Sequence, residues 1–182
     1  MEHVERIDRQ LAYGGAILDI YADTMKLPTG DIEKWDFVHH RRGAAGIVPV
    51  LDDGRVLMIR QYRPAIDRMC LEIPAGARDS LDELTSICAD RELLEETGYK
   101  AGKLDLLIQV KTVPAYCDEF IDIYLATDLK KVQDQDLDPA ESIEIIPYEL
   151  DELVSMIYSG QIQDGKTIAA LMSYKVKLSE KN

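Results

Sequence analysis

Arg91-Glu92-Leu93-Leu94-Glu95-Glu96-Thr97-Gly98 is the stretch on which the reading of this chain turns. From about Asp82 to Thr97 neither Gly nor Pro interrupts the sequence, and Gly98 stands where a helix C-cap belongs, so the spacing predicts a helix over 82–97. On such a helix Leu84, Ile87 and Leu94 share an arc of about 80° and form the expected buried stripe. Glu92 and Glu96 lie one turn apart, about 40° around the axis, with Glu95 about 60° to the other side. Three carboxylates therefore crowd one edge.

Like charges at these spacings weaken a helix, and anions near its C-terminal end oppose the macrodipole. With no lysine on the expected helix, the triplet calls for a compensating cation. Hard oxygen ligands of this kind suit Mg²⁺ or Mn²⁺, which also accept phosphate oxygens. Taken alone, the triplet reads rather as a solvated acidic face, and its surroundings must decide.

Working outward, Ala44–Leu51 and Arg55–Tyr62 are β-rich runs flanking Asp52-Asp53-Gly54, a hairpin signal. Leu71-Glu72-Ile73 reads as a brief strand stopped by Pro74, after which Ala75-Gly76 opens a loop. Beyond the helix, strands are expected at Leu104–Thr112, Phe120–Ala126 and Ile143–Tyr148, and helices at Glu149–Tyr158 and Lys166–Leu178. Upstream, Ala16–Tyr21 and Trp35–Val38 alternate in polarity around Pro28-Thr29-Gly30-Asp31, an antiparallel substructure. Crossovers are too few for a doubly wound parallel sheet. The expected fold class is α+β, a sandwich in which helices cover a mixed sheet on two sides.

The 182 residues fit one compact domain or one domain with an appendage. At 46% hydrophobic and 30% charged, the composition is that of an ordinary globular protein. Thirty-four acidic against 21 basic residues give a net charge of -13, which argues against nucleic acid as a partner. An anionic substrate would then need a metal ion or a few placed arginines. Cys70, Cys88 and Cys117 lack CxxC spacing and read as reduced core thiols. No apolar region follows Met1–Gln10 and no run spans a bilayer, so a cytoplasmic protein is expected, without secretion signal or membrane contact.

The helix and its approach resemble the Nudix hydrolase family, whose box is G-x5-E-x7-R-E-U-x-E-E-x-G-U. Arg91 to Tyr99 fits its second half throughout, and Glu83 stands eight residues before Arg91. Six residues instead of five separate Gly76 from Glu83, an extra residue placed in the loop 77–82. Arg60-Gln61-Tyr62-Arg63-Pro64, Glu72-Ile73-Pro74-Ala75-Gly76, Pro114 and Asp164-Gly165-Lys166-Thr167-Ile168-Ala169-Ala170 extend the similarity to the ADP-ribose pyrophosphatase branch, over roughly residues 35 to 172.

That resemblance implies a Nudix-like α/β/α sandwich with a mixed β-sheet and an N-terminal antiparallel strand extension. It divides the chain into residues 1–40, for dimerisation and part of the substrate site, and a hydrolase domain over 41–182. It implies metal ligation by Glu92, Glu95, Glu96 and the Ala75 carbonyl, with Gly76, Glu83, Arg91 and Gly98 as structural box residues, Glu83 and Arg91 forming an ion pair. Either Glu119 or a box glutamate such as Glu96 would be the base, with Asp118 as fallback. Trp35, Asp36 and Arg63 are the candidates for substrate contact, Trp35 serving equally well as a core anchor. His39-His40-Arg41-Arg42 is a basic patch that reads as a solvated strand end or, more sharply, as a phosphate-facing edge. The activity implied is metal-dependent hydrolysis of a nucleoside diphosphate linked to X, ADP-ribose first, giving AMP and ribose 5-phosphate, with Mg²⁺ or Mn²⁺ as cofactor and a homodimer as the working state. A Nudix hydrolase of sugar nucleotides, or a non-catalytic ADP-ribose sensor, are the alternatives.

Overall fold

The computed structural model describes residues 3–137, 139 and 142–180. Met1, Glu2, Lys181 and Asn182, which the expected domain boundaries include, lie outside the described residues. In chain order the elements are β1 (Glu5–Gly14), β2 (Leu18–Lys26), β3 (Ile32–His40), β4 (Ala44–Pro49), β5 (Val56–Arg63), β6 (Arg68–Glu72) and β7 (Ala75–Ala77). There follow α1 (Thr85–Thr97), β8 (Tyr99–Lys100), β9 (Lys103–Lys111), β10 (Phe120–Thr127), β11 (Lys130–Lys131), β12 (Ile143–Tyr148), α2 (Leu150–Tyr158) and α3 (Gly165–Ser179). The residues separate into two units, one formed by the chain up to Gly43 with Lys111–Phe120, the other by Ala44–Val110 with Ile121 onward.

In the larger unit, period-2 patterning builds two cores from the same strands. Ala44, Val48, Val56, Met58, Ile121, Ile123 and Leu125 pack with Leu153, Ala170 and Leu171 of α2 and α3. Their sequence neighbours Ala45, Ile47, Leu57, Tyr124 and Ala126 pack with Cys88, Ala89 and Leu93 of α1. Helices thus cover both faces, which is the expected α+β sandwich. The sheets run in the orders β7-β4-β10-β9 and β12-β5-β6, with β4 and β10 parallel, so the sheet is mixed.

Three expectations are corrected. The turn at Asp52-Asp53-Gly54 forms, with the Leu51 and Arg55 backbones bonded, but its strands make only the bridge Val50–Val56 and then part into different sheets. Every residue of β4 is buried, so it seeks partners on both edges instead of a hairpin mate. The stripe of Leu84, Ile87 and Leu94 is not the buried one: Leu84 and Ile87 are exposed, and the inner face of α1 is Cys88, Ala89, Leu93, Glu96 and Thr97. Small side chains there let the helix approach β4 closely. Finally, the segment after Pro74 is not loop from its start, since Ala75–Ala77 forms β7 and pairs with Ala44–Gly46.

The smaller unit contains an antiparallel sheet in the order β1-β2-β3. Its interior carries one fully buried carboxylate, Asp23, bound by Arg9 and Arg6 of the neighbouring strand. Arg9 also lies 4.5 Å over the Tyr21 ring, so one guanidinium closes both charge and packing.

Candidate active site

The box begins with how α1 stops and where its loop enters. Gly98 takes φ 73°, and its N–H donates to the Leu94 carbonyl at 2.8 Å, the left-handed cap expected of glycine. Because α1 starts only at Thr85, Glu83 lies in the preceding turn and not on the helix. It is therefore within reach of Arg91, whose Nε donates to its Oε1 at 3.1 Å. Burial opposes ionisation of Glu83, yet its hydrogen bond to Arg91 holds the pKa below the usual carboxylate value.

Strand β7 runs beside α1 and meets it residue by residue. The Ala75 N–H donates to Glu96 Oε2 at 3.0 Å. At Gly76 a Cβ would overlap the Glu92 carboxylate, so only glycine leaves that acid room against the backbone. The Ala77 carbonyl accepts from Arg91 Nη2 at 3.0 Å. Glu96 is 3% exposed, so a carboxylate sits on the inner face of the helix with a backbone donor to satisfy it.

Arg91 also reaches Glu92 Oε1 at 2.7 Å and Glu95 Oε2 at 3.1 Å. Burial disfavours its charge, but Glu83 and Glu92 more than compensate and raise its pKa further. The cation that the crowded triplet calls for is thus, in part, this arginine. Among the described residues, no three acidic, His or Cys side chains converge as a finished metal cage. The donor set nevertheless fits a hard divalent ion: it is all oxygen, it spans adjoining turns of one helix, and the Gly76 gap keeps Glu92 at the strand. The Cys88 thiol is pushed up to about 12, by burial first and by Glu92 next, which makes it a packing group and not a nucleophile.

Arg63 gives Nε and Nη2 to Glu72 at 2.8 and 2.7 Å, a bidentate pairing that fixes the plane of its guanidinium. Glu72 also binds Lys166, which in turn binds Asp164 at 2.9 Å. Asp164 caps α3 by accepting from the Thr167 N–H, while the Thr167 hydroxyl oxygen accepts the Ile73 N–H at 3.0 Å. The segment leading to Pro74-Ala75-Gly76 is therefore anchored from the start of α3.

The other candidates belong to the smaller unit. Trp35 and Asp36 are successive residues of β3, so their side chains leave opposite faces. Trp35 donates Nε1–H to Glu33 at 2.8 Å, and its ring lies 6.3 Å from that of Phe37. Glu119 accepts from the Thr112 hydroxyl at 2.8 Å, and Asp118 lies 2.6 Å from His39 Nδ1. The segment of Glu119 is tied to β3, since the Val38 N–H donates to the Tyr116 carbonyl at 2.7 Å. The basic patch is met by acids: His39 by Asp118, His40 by Glu119 and Arg41 by Asp19. Nothing in the sequence signals these pairings, which join residues as far as 79 positions apart.

The larger unit is an α/β/α sandwich in which strand β7 delivers backbone to a glutamate-lined helix, and its relatives mark the chain as a pyrophosphohydrolase. The NUDIX domain model matches residues 40–171, and the chain belongs to the Nudix family, whose members generally use divalent metal ions. The ADP-ribose pyrophosphatase of Bacillus subtilis (strain 168) is 32% identical over 172 residues, covering 94% of this chain and 92% of that one. The ADP-ribose pyrophosphatase of Mycobacterium tuberculosis is 32% identical over 170 residues, covering 93% and 82%. The methanol dehydrogenase activator of Bacillus methanolicus is 32% identical over 166 residues, covering 91% and 89%. Among solved structures, an ADP compounds hydrolase superposes with a TM-score of 0.89 at 20% identity over 100% of this chain and 97% of that one, a likeness of fold. Among the described residues no helix is long and apolar enough to cross a membrane.

Proposed function

We propose that this protein hydrolyses ADP-ribose to AMP and ribose 5-phosphate. The observation that carries the reading is the β7–α1 junction, where the backbone at Ala75 and Gly76 meets Glu96 and Glu92. The relatives support the substrate: those named ADP-ribose pyrophosphatase align over 93% or more of the chain, whereas a GDP-mannose pyrophosphatase of Cronobacter sakazakii aligns over 78% at 27% identity.

Glu92, Glu95, Glu96 and the Ala75 carbonyl would hold Mg²⁺ or Mn²⁺, Glu92 and Glu95 exchanging the Arg91 guanidinium for the ion. When bound, such an ion neutralises the diphosphate and lowers the pKa of a coordinated water. Glu119 is the proposed base. Arg63, fixed by Glu72, is proposed to bind a phosphate oxygen pair, and Trp35 and Asp36 to contact the nucleoside. Residues 1–40 are proposed to form a dimerisation segment and 41–182 the hydrolase domain, acting in the cytoplasm.

A product assay at fixed Mg²⁺ across ADP-ribose, GDP-mannose, NADH and diadenosine compounds tests the reading. AMP release is expected to be fastest from ADP-ribose; its absence would sink the assignment. Glu96→Gln is expected to lower kcat by at least about 100-fold while the melting temperature stays within a few degrees. An unchanged rate removes Glu96 from the chemistry.

A further inference from the structure

Glu119 does not stand alone in the smaller unit. Its Oε2 accepts from the Thr112 hydroxyl, and its Oε1 lies 3.6 Å from His40 Nε2. The Gly43 N–H donates to His40 Nδ1 at 3.0 Å. That bond occupies the Nδ1 lone pair, so the proton of a neutral ring resides on Nε2, the nitrogen facing Glu119. The backbone that aims this donor favours glycine: Gly43 has φ 70°, and a Cβ there would overlap the ring of Phe120, the residue after Glu119. The two segments are also joined, since the His40 backbone N–H donates to the Asp118 side-chain Oδ1 at 2.9 Å.

We infer that His40 is a positioning residue for Glu119, its Nε2–H facing one carboxylate oxygen at 3.6 Å, an electrostatic contact longer than a hydrogen bond, while the Thr112 hydroxyl binds the other. The inference rests on the reading of Glu119 as the base. A carboxylate hydrogen-bonded at one oxygen and faced by a ring N–H at the other is restrained in its rotation, and a base must have its acceptor lone pair within reach of the proton it takes. His40 touches no substrate in this account; it acts through Glu119. Its side chain is 10% exposed against 26% for Glu119, so the steering group is more shielded from water than the group it steers.

The test is steady-state AMP release from ADP-ribose with Mg²⁺, comparing wild type, Glu119→Gln, His40→Ala and the double variant. Glu119→Gln is expected to lower kcat about 100-fold. His40→Ala is expected to lower kcat about 10-fold with KM within about twofold, and to have less than a twofold effect once Glu119 is Gln. His40→Asn keeps an acceptor for the Gly43 N–H but lacks the Nε2–H, so it should be as slow as His40→Ala. His40→Gln, whose amide N–H reaches further, should recover most of the rate. If His40→Ala does not fold, the Asn and Gln variants carry the same comparison. A wild-type kcat in His40→Asn, or an equal loss from His40→Ala in the Glu119→Gln background, overturns the inference and leaves the base assigned. A wild-type rate in Glu119→Gln overturns the base assignment itself.

Discussion

Glu72 is a carboxylate at 2% exposure, held by Arg63 and Lys166. Burial alone would raise its pKa, but the Arg63 hydrogen bonds and the Lys166 charge outweigh that and bring it below the ordinary value of 4.5. The folded-state pKa is depressed, so its stabilisation is fully present above the unfolded value and is lost as pH falls through the lower folded one. Glu72→Gln leaves two cations short of a buried anion and is expected to cost about 3 kcal/mol at pH 7. Calorimetry from pH 7 downward should show wild type losing stability below pH 4.5 and the variant showing a shallower acid limb. Equal limbs would mean that Glu72 does not drive acid unfolding. The role of Glu72 was not legible in the sequence, because Lys166 lies 94 positions away, whereas Gly98 was legible from its place at the helix end and the Glu83–Arg91 pair only through the resemblance to the Nudix box.

At the scale of elements, α1 shows where reading by size fails. Its Ile87 points outward, while Leu93 makes the contact beside Cys88 and Ala89, whose small side chains suit a helix packed on β4. Buried Glu96 and Thr97 break an apolar pattern, yet both are satisfied: Glu96 by the Ala75 N–H, and Thr97 by donating to the Leu93 carbonyl. The end of α1, by contrast, was legible, since the Gly98 carbonyl accepts from Val132 and Gln133 in a geometry that positive φ permits. A methyl at Gly98 would strain the backbone and meet the Gln133 carbonyl. Gly98→Ala is therefore expected to cost at least about 2 kcal/mol in urea unfolding at unchanged m-value. A loss under 0.5 kcal/mol, the range of ordinary surface substitutions, would show that the cap is not what ends the helix.

The whole molecule sets an apolar surface against its own charge. Every residue of β1 is exposed, and Ile7, Leu11 and Tyr13 on that strand, with Ile17 in the turn that follows it, stand at 50% exposure or more. A net charge of -13 on each chain repels a second copy, so the proposed dimer has to draw on apolar burial strong enough to overcome that repulsion. Two consequences follow from the opposing terms. Salt screens the repulsion and spares the apolar term, so the dimer should tighten as ionic strength rises from 0.05 to about 0.5 M, the reverse of an interface held by ion pairs. Leu11 is 58% exposed within one chain, so Leu11→Asp should leave the melting of the monomer nearly unchanged while adding a charge to the contact. Sedimentation equilibrium should then report twice 20.5 kDa for wild type and 20.5 kDa for the variant. A wild-type protein that sediments as one chain at every salt concentration would dismiss the dimer, and a Leu11→Asp variant that remains paired would move the interface away from β1.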